Sequence, residues 1–365
     1  MADYIEPEET EDPDLETDDS ENAEVDELYE HFRIVVDRGQ GLLRIDKFLM
    51  ARLENASRNK IQIAAKAGNI LVNEKSVKSN YRIKPLDVIS IVMPHPPRDL
   101  EIIAQDIPLD IFYEDDDIIV INKKAGMVVH PGYGNYSGTL VNALAWHFKD
   151  QLEVKPYLVH RIDKDTSGII LVAKTELAQT RLAKEFFDHT INRKYNALVW
   201  GDFEEDEGTV TGHIGRSAKD RRQMMVYVDG SIGKHAITHY KVLQRFGYVT
   251  LIECVLETGR THQIRAHMRF LGHPLFNDER YGGDQILRGT TFSKYKQFIK
   301  NCYEIIPRQA LHAKSLGFKH PITKEELFFD SELAPDMLQV LDKWERYIAN
   351  REIEVNEMLT KKDEI

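Results

Sequence analysis

The segment "HRIDKDTSGIILVAK", residues 160–174, contains the feature from which both the fold and the site can be argued. Two carboxylates, Asp163 and Asp165, lie among basic, hydroxyl and glycine residues directly before an apolar run that is typical of a buried strand. Acidic residues at the mouth of such a strand fit a metal site, an acid/base pair, one nucleophile beside a turn-capping residue, or a plain polar turn. The rest of the chain has to separate these alternatives.

Size and residue usage exclude several classes of protein. The 365 residues are enough for a substantial core and for two or three domains. The 2 cysteines, Cys254 and Cys302, are too few for a disulfide framework or a cage of thiolate ligands. The sequence shows no signal-peptide pattern and no apolar run of the ~18 residues that a membrane span needs. We therefore expect a cytoplasmic protein without membrane segments.

The net charge of -12 is concentrated at the start of the sequence. Residues 1–30 contain 15 acidic residues and no Lys or Arg, which leaves 60 − 15 = 45 acids against 48 bases in the remainder. We predict that residues 1–30 are disordered, because they have too little apolar surface to offset the entropy of ordering. They fit either a solubilising tail or a mobile anion that competes for a basic surface of the same chain.

Residues 31–95 supply such a surface, with 12 Lys or Arg against 5 acids. The run "RIDKFLMARL" has helical spacing, a second helix is predicted between Ser57 and Gly68, and two strand-and-turn patterns follow. This arrangement resembles the S4 RNA-binding domain, although Leu86 stands where that family usually has glycine. The resemblance implies a small α/β domain that binds phosphates and need not read bases. Its expected RNA contacts are Arg44, Lys47, Arg58 and Lys60.

The remaining sequence predicts a second, larger domain. Residues 96–109 contain several prolines and are predicted to be a linker. Residues 110–325 mix strands with helices, which predicts an α+β domain built on a mixed, largely antiparallel β-sheet with flanking helices. Residues 326–365 are predicted to form a helical C-terminal extension, to which the sequence assigns no function.

Several motifs of residues 110–325 occur in a familiar order. The segments "HRIDKDTSG", "RKYNALV", "GRTHQIRAHMRFLGHPLFND" and "ALHAKSLGFKHP" resemble those of the RluA/RluD family of RNA pseudouridine synthases, most closely its RluD-like branch, which acts on large ribosomal RNA. Lys124, in "NKKAG", departs from the proline usual in that family. The resemblance implies the pseudouridine synthase fold behind an S4 domain. It also implies an isomerase that replaces the C1′–N1 bond of uridine by a C1′–C5 bond, without a redox change, a metal or an organic cofactor.

The resemblance also assigns three catalytic residues. Asp163 is the carboxylate beside the sugar, acting as a nucleophile or as a base, while Asp165 is expected to cap the following turn. Arg265 is expected to keep Asp163 ionised, because a nearby cation lowers the pKa of a carboxyl group. Tyr195 is expected to stack on uracil or to move a proton from C5.

Further residues are expected to bind the substrate. We expect Arg161 to contact the target nucleotide, Arg260 to contact phosphate or brace its turn, and His160 and His262 to hydrogen-bond RNA or backbone. Arg161 could fill the space left by a uridine that has been flipped out of its stack. A predicted hairpin between residues 213 and 240 would hold RNA through Arg221 and Arg222. The histidines lack the spacing of metal ligands, so we expect no metal.

Two classes of function remain open at this point. The first is an enzyme that isomerises specific uridines in 23S ribosomal RNA, with a tRNA target as the alternative. The second is an RNA-binding factor for ribosome assembly in which catalysis is secondary. Either would have ribosomal RNA of the large subunit or its precursor as partner, and we expect a monomer.

Overall fold

The chain divides into two compact units, Met1–Glu101 and Ile102–Ile365. The computed structural model describes residues 29–53, 56–93, 102–131, 135, 137–151, 154–217, 220 and 222–363, and for residues 29, 93 and 352–363 the backbone alone. The predicted disorder of the acidic segment concerns residues that, up to residue 28, lie outside the described ones. Among the described residues, no helix combines the length and the hydropathy needed to cross a bilayer.

The first unit is a four-stranded antiparallel sheet with two short helices. The order of its strands in the sheet is β1-β4-β2-β3. The second helix is capped by the Ser57 side chain and is followed by Gly68 in a left-handed conformation, as its sequence predicts. The elements are β1 (Tyr29–Val35), α1 (Ile45–Met50), α2 (Arg58–Lys66), β2 (Ile70–Val72), β3 (Lys75–Ser76) and β4 (Val88–Met93).

The turn at Leu86 keeps the conformation that glycine would favour. Leu86 has a φ of 70°, and its side chain is exposed. The adjacent Asp87 carboxylate holds the turn by accepting hydrogen bonds from Asn73 Nδ2 at 2.9 Å, Tyr81 Oη at 3.0 Å and the Lys84 amide at 2.8 Å. These bonds offset the ~1–2 kcal/mol that a left-handed L-residue costs. The departure from the usual glycine therefore leaves the turn intact.

The second unit is built on one long mixed sheet, and its α+β class is the one that the sequence predicts. The sheet order is β11-β10-β12-β13-β9-β14-β8-β6-β5, with β15 on β14 and β7 on β8. The contact of β8 with β14 is parallel, and the other pairings are antiparallel. The strands are β5 (Ile111–Glu114), β6 (Ile118–Lys123), β7 (Tyr157–Leu158), β8 (Ser167–Ala173), β9 (Asn192–Trp200), β10 (Glu207–Arg216), β11 (Met224–Tyr227), β12 (Lys234–Arg245), β13 (Val249–Leu256), β14 (Leu311–Lys319) and β15 (Glu326–Asp330).

Both faces of the central strands are covered. Along β9, Tyr195, Ala197 and Val199 enter one apolar cluster, whereas Leu198 and Trp200 enter another on the opposite face. This explains why "YNALVW" reads as a continuous apolar run and not as an alternating one. The helices are α3 (Leu140–His147), α4 (Glu176–Phe187), α5 (Gln263–Phe270), α6 (Ser293–Ile305) and α7 (Pro335–Asp363), with a 3₁₀ turn at Glu279–Tyr281.

Two segments outside residues 110–325 pack into this unit. The side-chain amide of Asn142, on α3, donates to the Ile103 carbonyl at 2.8 Å, so the end of the expected linker lies on the domain. Residues 326–330, expected in the C-terminal extension, form β15 and pair with β14, because the apolar runs of both strands pack together there. The following helix α7 buries Met337 and Trp344 in the second apolar cluster. The extension is therefore part of the domain core.

Candidate active site

Asp163 lies in the loop between β7 and β8, at the rim of two neighbouring cavities. The amide of Thr166 donates to the Asp163 carbonyl at 3.1 Å, and the buried Ile162 anchors the loop from below. The Asp163 side chain is 20% exposed, so it is accessible to a substrate. One cavity has a volume of about 930 Å³ and the other of about 440 Å³, and both are lined by Asp163, His262 and Arg265.

Arg265 joins Asp163 to a second carboxylate. Its Nη1 donates to Asp163 Oδ2 at 3.0 Å, while Nε and Nη2 donate to the two oxygens of Asp278 at 2.7 and 2.9 Å. Burial alone would lower the pKa of Arg265, but the hydrogen bonds and charge of Asp278, with those of Asp163, raise it above its ordinary value. The side chain of Asp278 is buried, and it was not among the residues expected from the sequence. The Asp163–Arg265 pair expected from the sequence is present.

His262 adds a second donor near the same carboxylate. It immediately precedes α5 with a φ of 52°, a strained conformation of the kind that clusters at functional sites. Because Tyr281 Oη accepts from the Met224 amide at 2.9 Å, its own hydrogen is available to His262 Nδ1, also at 2.9 Å. The imidazole then carries its proton on Nε2, which lies 3.9 Å from Asp163 Oδ2. Burial lowers the pKa of His262 to about 4, so the ring is neutral near pH 7.

Tyr195 lines the smaller cavity from β9. Its ring is buried beside Leu256, Ile264 and Leu311, which gives this cavity an apolar wall of the kind that a nucleobase requires. The hydroxyl makes no hydrogen bond with the described residues and so is free for a substrate. Burial raises the pKa of Tyr195; the positive charge of Arg193 opposes this shift in part, and the negative charge of Asp163 adds to it. The group is therefore a neutral phenol at physiological pH.

Two buried basic side chains bind backbone carbonyls in and beside the loop that carries Asp163. Lys123 Nζ donates to the carbonyls of Lys124 at 2.9 Å, Met127 at 2.8 Å and Lys164 at 2.9 Å. Burial lowers the pKa of Lys123 to about 7, whereas the charge of Asp165 and the three carbonyls favour the ammonium form. Neither this lysine nor the second cation, Arg308, was expected from the sequence.

Arg308 binds the far end of the same loop. Its Nη1 donates to the Asp165 carbonyl at 3.0 Å, its Nη2 donates to Ser167 Oγ at 3.1 Å, and Nε is paired with Asp336 at 2.7 Å. The side chain of Asp165, in contrast, makes no hydrogen bond among the described residues, so the turn cap expected of it is absent. The Asp163–Thr166 backbone bond and Arg308 take its place.

His160 makes the backbone hydrogen bond that was one of its two expected roles, while the substrate contacts of Arg161 and Arg260 stay predictions. His160 Nε2 accepts from the Leu171 amide at 2.9 Å, its Nδ1 is buried, and its ring stacks on Phe186, so neither nitrogen can reach RNA. Arg161 is exposed at the rim of both cavities. Arg260 Nε donates to the His235 carbonyl at 3.0 Å, which braces the turn before α5 beside the smaller cavity.

This geometry can be set beside known proteins. Residues 117–270 match the family model for RNA pseudouridylate synthase, and residues 43–89 match that for the S4 domain. An "Uncharacterized RNA pseudouridine synthase" of Chlorobaculum parvum is 46% identical over 315 residues, which cover 84% of this chain and 96% of the relative. The chain belongs to the RNA pseudouridine synthase family. The family and the S4 domain that the sequence motifs predict are thereby confirmed.

Other RNA pseudouridine synthases agree with this assignment. A "Ribosomal large subunit pseudouridine synthase D" of Zymomonas mobilis is 40% identical over 306 residues, covering 80% of this chain and 91% of the relative. Among solved structures, "Human RNA Pseudouridylate Synthase Domain Containing 4" has a TM-score of 0.50 at 23% identity and covers 65% of this chain and 93% of its own. The latter shows that the fold is shared.

The S4 domain of this pseudouridine synthase divides its expected RNA-binding residues into two kinds. Lys47 and Lys60 are exposed on α1 and α2. Arg44 donates to both oxygens of the buried Asp46 at 3.1 and 2.8 Å, and Arg58 lies 3.4 Å from the same carboxylate. The lysines therefore offer the less compensated positive charge, while Arg58 also joins α2 to α1 through Asp46.

The predicted hairpin of the synthase is formed by β10 and β11. Arg222 is exposed at its tip and is paired with Asp220, whereas Arg221 lies outside the described residues. The Met224 amide, at the start of β11 in this hairpin, donates to Tyr281 Oη, and the Tyr281 hydroxyl in turn orients the ring of His262. The hairpin is thus placed beside the active site, and RNA binding by Arg222 stays a prediction.

One group of side chains in this unit has the proximity of a metal site. Asp115, Asp117 and His320 bring ligand atoms within 4.8 Å of one another. However, His320 Nδ1 accepts two backbone N–H groups, from Ile322 and Thr323, and its Nε2 is directed at Asp115 at 2.9 Å. Because both nitrogens are engaged, the histidine has no lone pair for a metal. The group fits a structural network that joins a turn to β14.

Proposed function

We propose that the protein isomerises specific uridines to pseudouridine in the 23S RNA of the large ribosomal subunit, with Asp163 as the catalytic carboxylate. The name of the Zymomonas mobilis relative supports the ribosomal target. The S4 domain supports it too, because exposed Lys47 and Lys60 can neutralise phosphates of a large structured RNA. Such a substrate implies action in the cytoplasm.

The observation that carries the proposal is the ion pair of Asp163 and Arg265 at 3.0 Å, which lines both the larger cavity and the smaller one that Tyr195 also lines. A uridine flipped out of its stack would place its ribose beside Asp163 and its uracil against Tyr195. A carboxylate kept ionised at this point can attack a sugar carbon or remove a proton from the ribose. Both routes require the same placement.

Arg161 would secure the flipped conformation. It is exposed at the rim of both cavities, next to the catalytic loop, and makes no hydrogen bond among the described residues. A long cation at this point can occupy the space that the uridine leaves and bind the flanking phosphate. Flipping costs a few kcal/mol, which such a contact would partly offset.

The test of the catalytic role is Asp163→Asn, with Asp165→Asn as the matched control. Both changes remove one negative charge from the same loop, but the Asp165 side chain makes no hydrogen bond among the described residues. Asp163→Asn should bind 23S RNA nearly as well as the wild type and lose more than about a thousandfold in rate. Asp165→Asn should retain activity within a few-fold. Pseudouridine formation by Asp163→Asn at an undiminished rate would refute the assignment.

The target is tested by a pseudouridine map of ribosomal and transfer RNA from cells with and without the gene. Sites lost from 23S RNA would support the proposal, and sites lost from tRNA alone would replace it with a tRNA synthase. The S4 domain also leaves a role in assembly to be tested. If Asp163→Asn restores ribosome maturation to the deletion strain without restoring pseudouridine, then assembly is a separate function of the protein.

A further inference from the structure

The smaller cavity contains a buried arginine that has no anionic partner in the part of the chain that the structure describes. Arg193, on β9, is 7% exposed, and its Nε is buried without a hydrogen bond. Among the described residues it forms no ion pair, and its ring contact is Phe186, whose centroid lies 5.3 Å from Cζ. A buried charge without a partner is costly, so a side chain retained in this state calls for a ligand.

The surrounding backbone directs this guanidinium toward the place proposed for the base. Arg193 and Tyr195 are two residues apart on one strand, so their side chains project from the same face. Both line the cavity that also reaches Asp163. Gly259 lies opposite, where a Cβ would come within 2.8 Å of Arg193 Nη1. The φ of Gly259 is not in the left-handed region, so a side chain at this position would meet the guanidinium of Arg193 and not a backbone restriction.

The neighbours of Arg193 in the cavity carry no compensating charge. Burial, and next the charge of Arg193 itself, lower the pKa of His160 to about 3, so that ring is neutral. Tyr195 is a neutral phenol, because burial raises its pKa. Asp163 is already paired with Arg265. The cavity therefore presents a positive charge that an anionic or electron-rich group of the substrate would complete.

We propose that Arg193 binds the detached uracil and stabilises its negative charge while the base turns. This inference rests on the proposed function. When the C1′–N1 bond breaks, its electron pair passes to N1 and is delocalised over O2 and O4, while C1′ either bonds to the Asp163 carboxylate or forms a double bond to C2′ as Asp163 removes the C2′ proton. The later attack of C5 on C1′ displaces the carboxylate or returns that proton to C2′. After rotation, C5 forms the new bond to C1′, loses its proton to water, and N1 takes one up. The composition of the nucleotide is unchanged. The planar guanidinium of Arg193 projects from the same face of β9 as Tyr195, so it can donate hydrogen bonds to the carbonyl oxygens of uracil while the base rotates.

Substitutions that keep the volume of the side chain separate this role from a structural one. Arg193→Met should reduce the single-turnover rate by about 100-fold, the loss typical of removing one preorganised donor to a developing anion. It should melt at the same or a higher temperature, because an unpaired buried charge is replaced by an apolar group. Arg193→Lys should retain part of the rate, and the control Arg346→Met, on the exposed side of α7, should retain all of it. A lower melting temperature together with an unchanged rate would show a structural role and overturn the inference.

The alternative anion in the substrate is an RNA phosphate, and binding measurements distinguish the two. If Arg193 contacts a phosphate, Arg193→Met weakens binding of 23S RNA and lowers the salt slope by about one. If it binds the base, affinity and salt slope stay close to the wild-type values while the rate falls. A changed slope with an unchanged single-turnover rate would therefore overturn the inference.

A change of leaving group gives the most specific readout. A thiocarbonyl delocalises negative charge better than a carbonyl, so a 23S transcript made with 4-thiouridine should depend less on Arg193. We expect the ratio of wild-type to Arg193→Met rates to fall from about 100 to about 10 or less. An equal ratio on both transcripts would contradict stabilisation of the leaving base. If the wild type forms no pseudouridine in either transcript, the failure lies with the proposed target.

Discussion

The single residue on which the active site depends most is Arg265, because it is held by two carboxylates of different accessibility. Asp278, which is buried, binds it through two hydrogen bonds, while Asp163 receives the remaining Nη1 donor and stays open to the cavities. Asp278 thus fixes the plane of the guanidinium, and the guanidinium fixes the carboxylate that reacts. Because the buried carboxylate positions the guanidinium, the reactive carboxylate is held in the geometry that the reaction requires.

Asp278→Asn should reduce the single-turnover rate by about 10- to 100-fold while RNA affinity is retained. The amide has one acceptor where the carboxylate has two, so Arg265 would lose one of the bonds that set its plane. A displacement of about 1 Å can cost this much in rate. Asp284→Asn is the matched control, because Asp284 lines the larger cavity outside this network. Equal rates in the two variants would show that orientation by Asp278 is not needed.

For single residues, the sequence predicted those active-site residues that belong to family motifs. It did not predict the residues that position the catalytic loop through tertiary contacts. Asp163 and Arg265 are 102 residues apart, and their pairing could be expected from the family resemblance alone. Lys123 and Arg308 bind backbone carbonyls of the catalytic loop, and no local pattern marks such a contact. His160, the first residue of the opening motif, was expected to bond RNA or backbone, and the structure shows the backbone bond, since Nε2 accepts from the Leu171 amide and Nδ1 is buried.

At the scale of the elements, the catalytic loop is positioned by the close parallel approach of β8 to β14. Ser167 and Gly168 pair with His312 and Ala313 at the point where the loop enters the sheet. Gly168 has a φ of 108°, and a Cβ there would lie 2.2 Å from the Ala313 carbonyl oxygen. The last residue of the opening motif is therefore glycine because two backbones meet there.

Gly168→Ala should destabilise the catalytic unit by more than about 3 kcal/mol, the sum of the cost of a left-handed φ and of overpacking against backbone. Gly126→Ala is the control that separates the two costs. Gly126 has a φ of 85° but nothing within 4 Å of its would-be Cβ, so it should cost about 1–2 kcal/mol. Urea unfolding of both variants measures the difference. Equal losses would mean that the β8–β14 approach is not as close as described.

The elements themselves were easier to predict than their neighbours in the sheet. The limits of α2 follow from Ser57 and Gly68, because caps act within one turn of a helix. The pairing of β8 with β14 joins segments about 145 residues apart, as the Ser167–His312 contact shows. Strand order of this kind is set by tertiary packing, to which local sequence patterns are blind. The same limit explains why β15 was placed outside the sheet.

At the scale of the whole molecule, the catalytic unit buries several histidines in the neutral state. Burial lowers the pKa of His267 and of His312 to about 4 and that of His160 to about 3. His312 is held from both nitrogens by Ser167 and Ser331, so it joins the loop of Asp163 to the start of α7. In the unfolded chain these rings titrate near pH 6.5. Lowering the pH therefore affects buried histidines in the core of the fold as well as ionisable groups at its surface.

The stability of the catalytic unit should fall as the pH is lowered from about 6.5 to about 4. In this window the unfolded chain binds more protons than the folded chain, so the free energy of unfolding rises with pH and is largest above about 6.5. Each buried histidine contributes up to about 1.4 kcal/mol per pH unit to the slope. His267→Gln should reduce the slope of urea-unfolding free energy against pH by about one proton, because this ring is fully buried with Nε2 unpartnered. The exposed His130→Gln should leave the slope unchanged, and equal slopes in both variants would show that His267 is already protonated in the folded state.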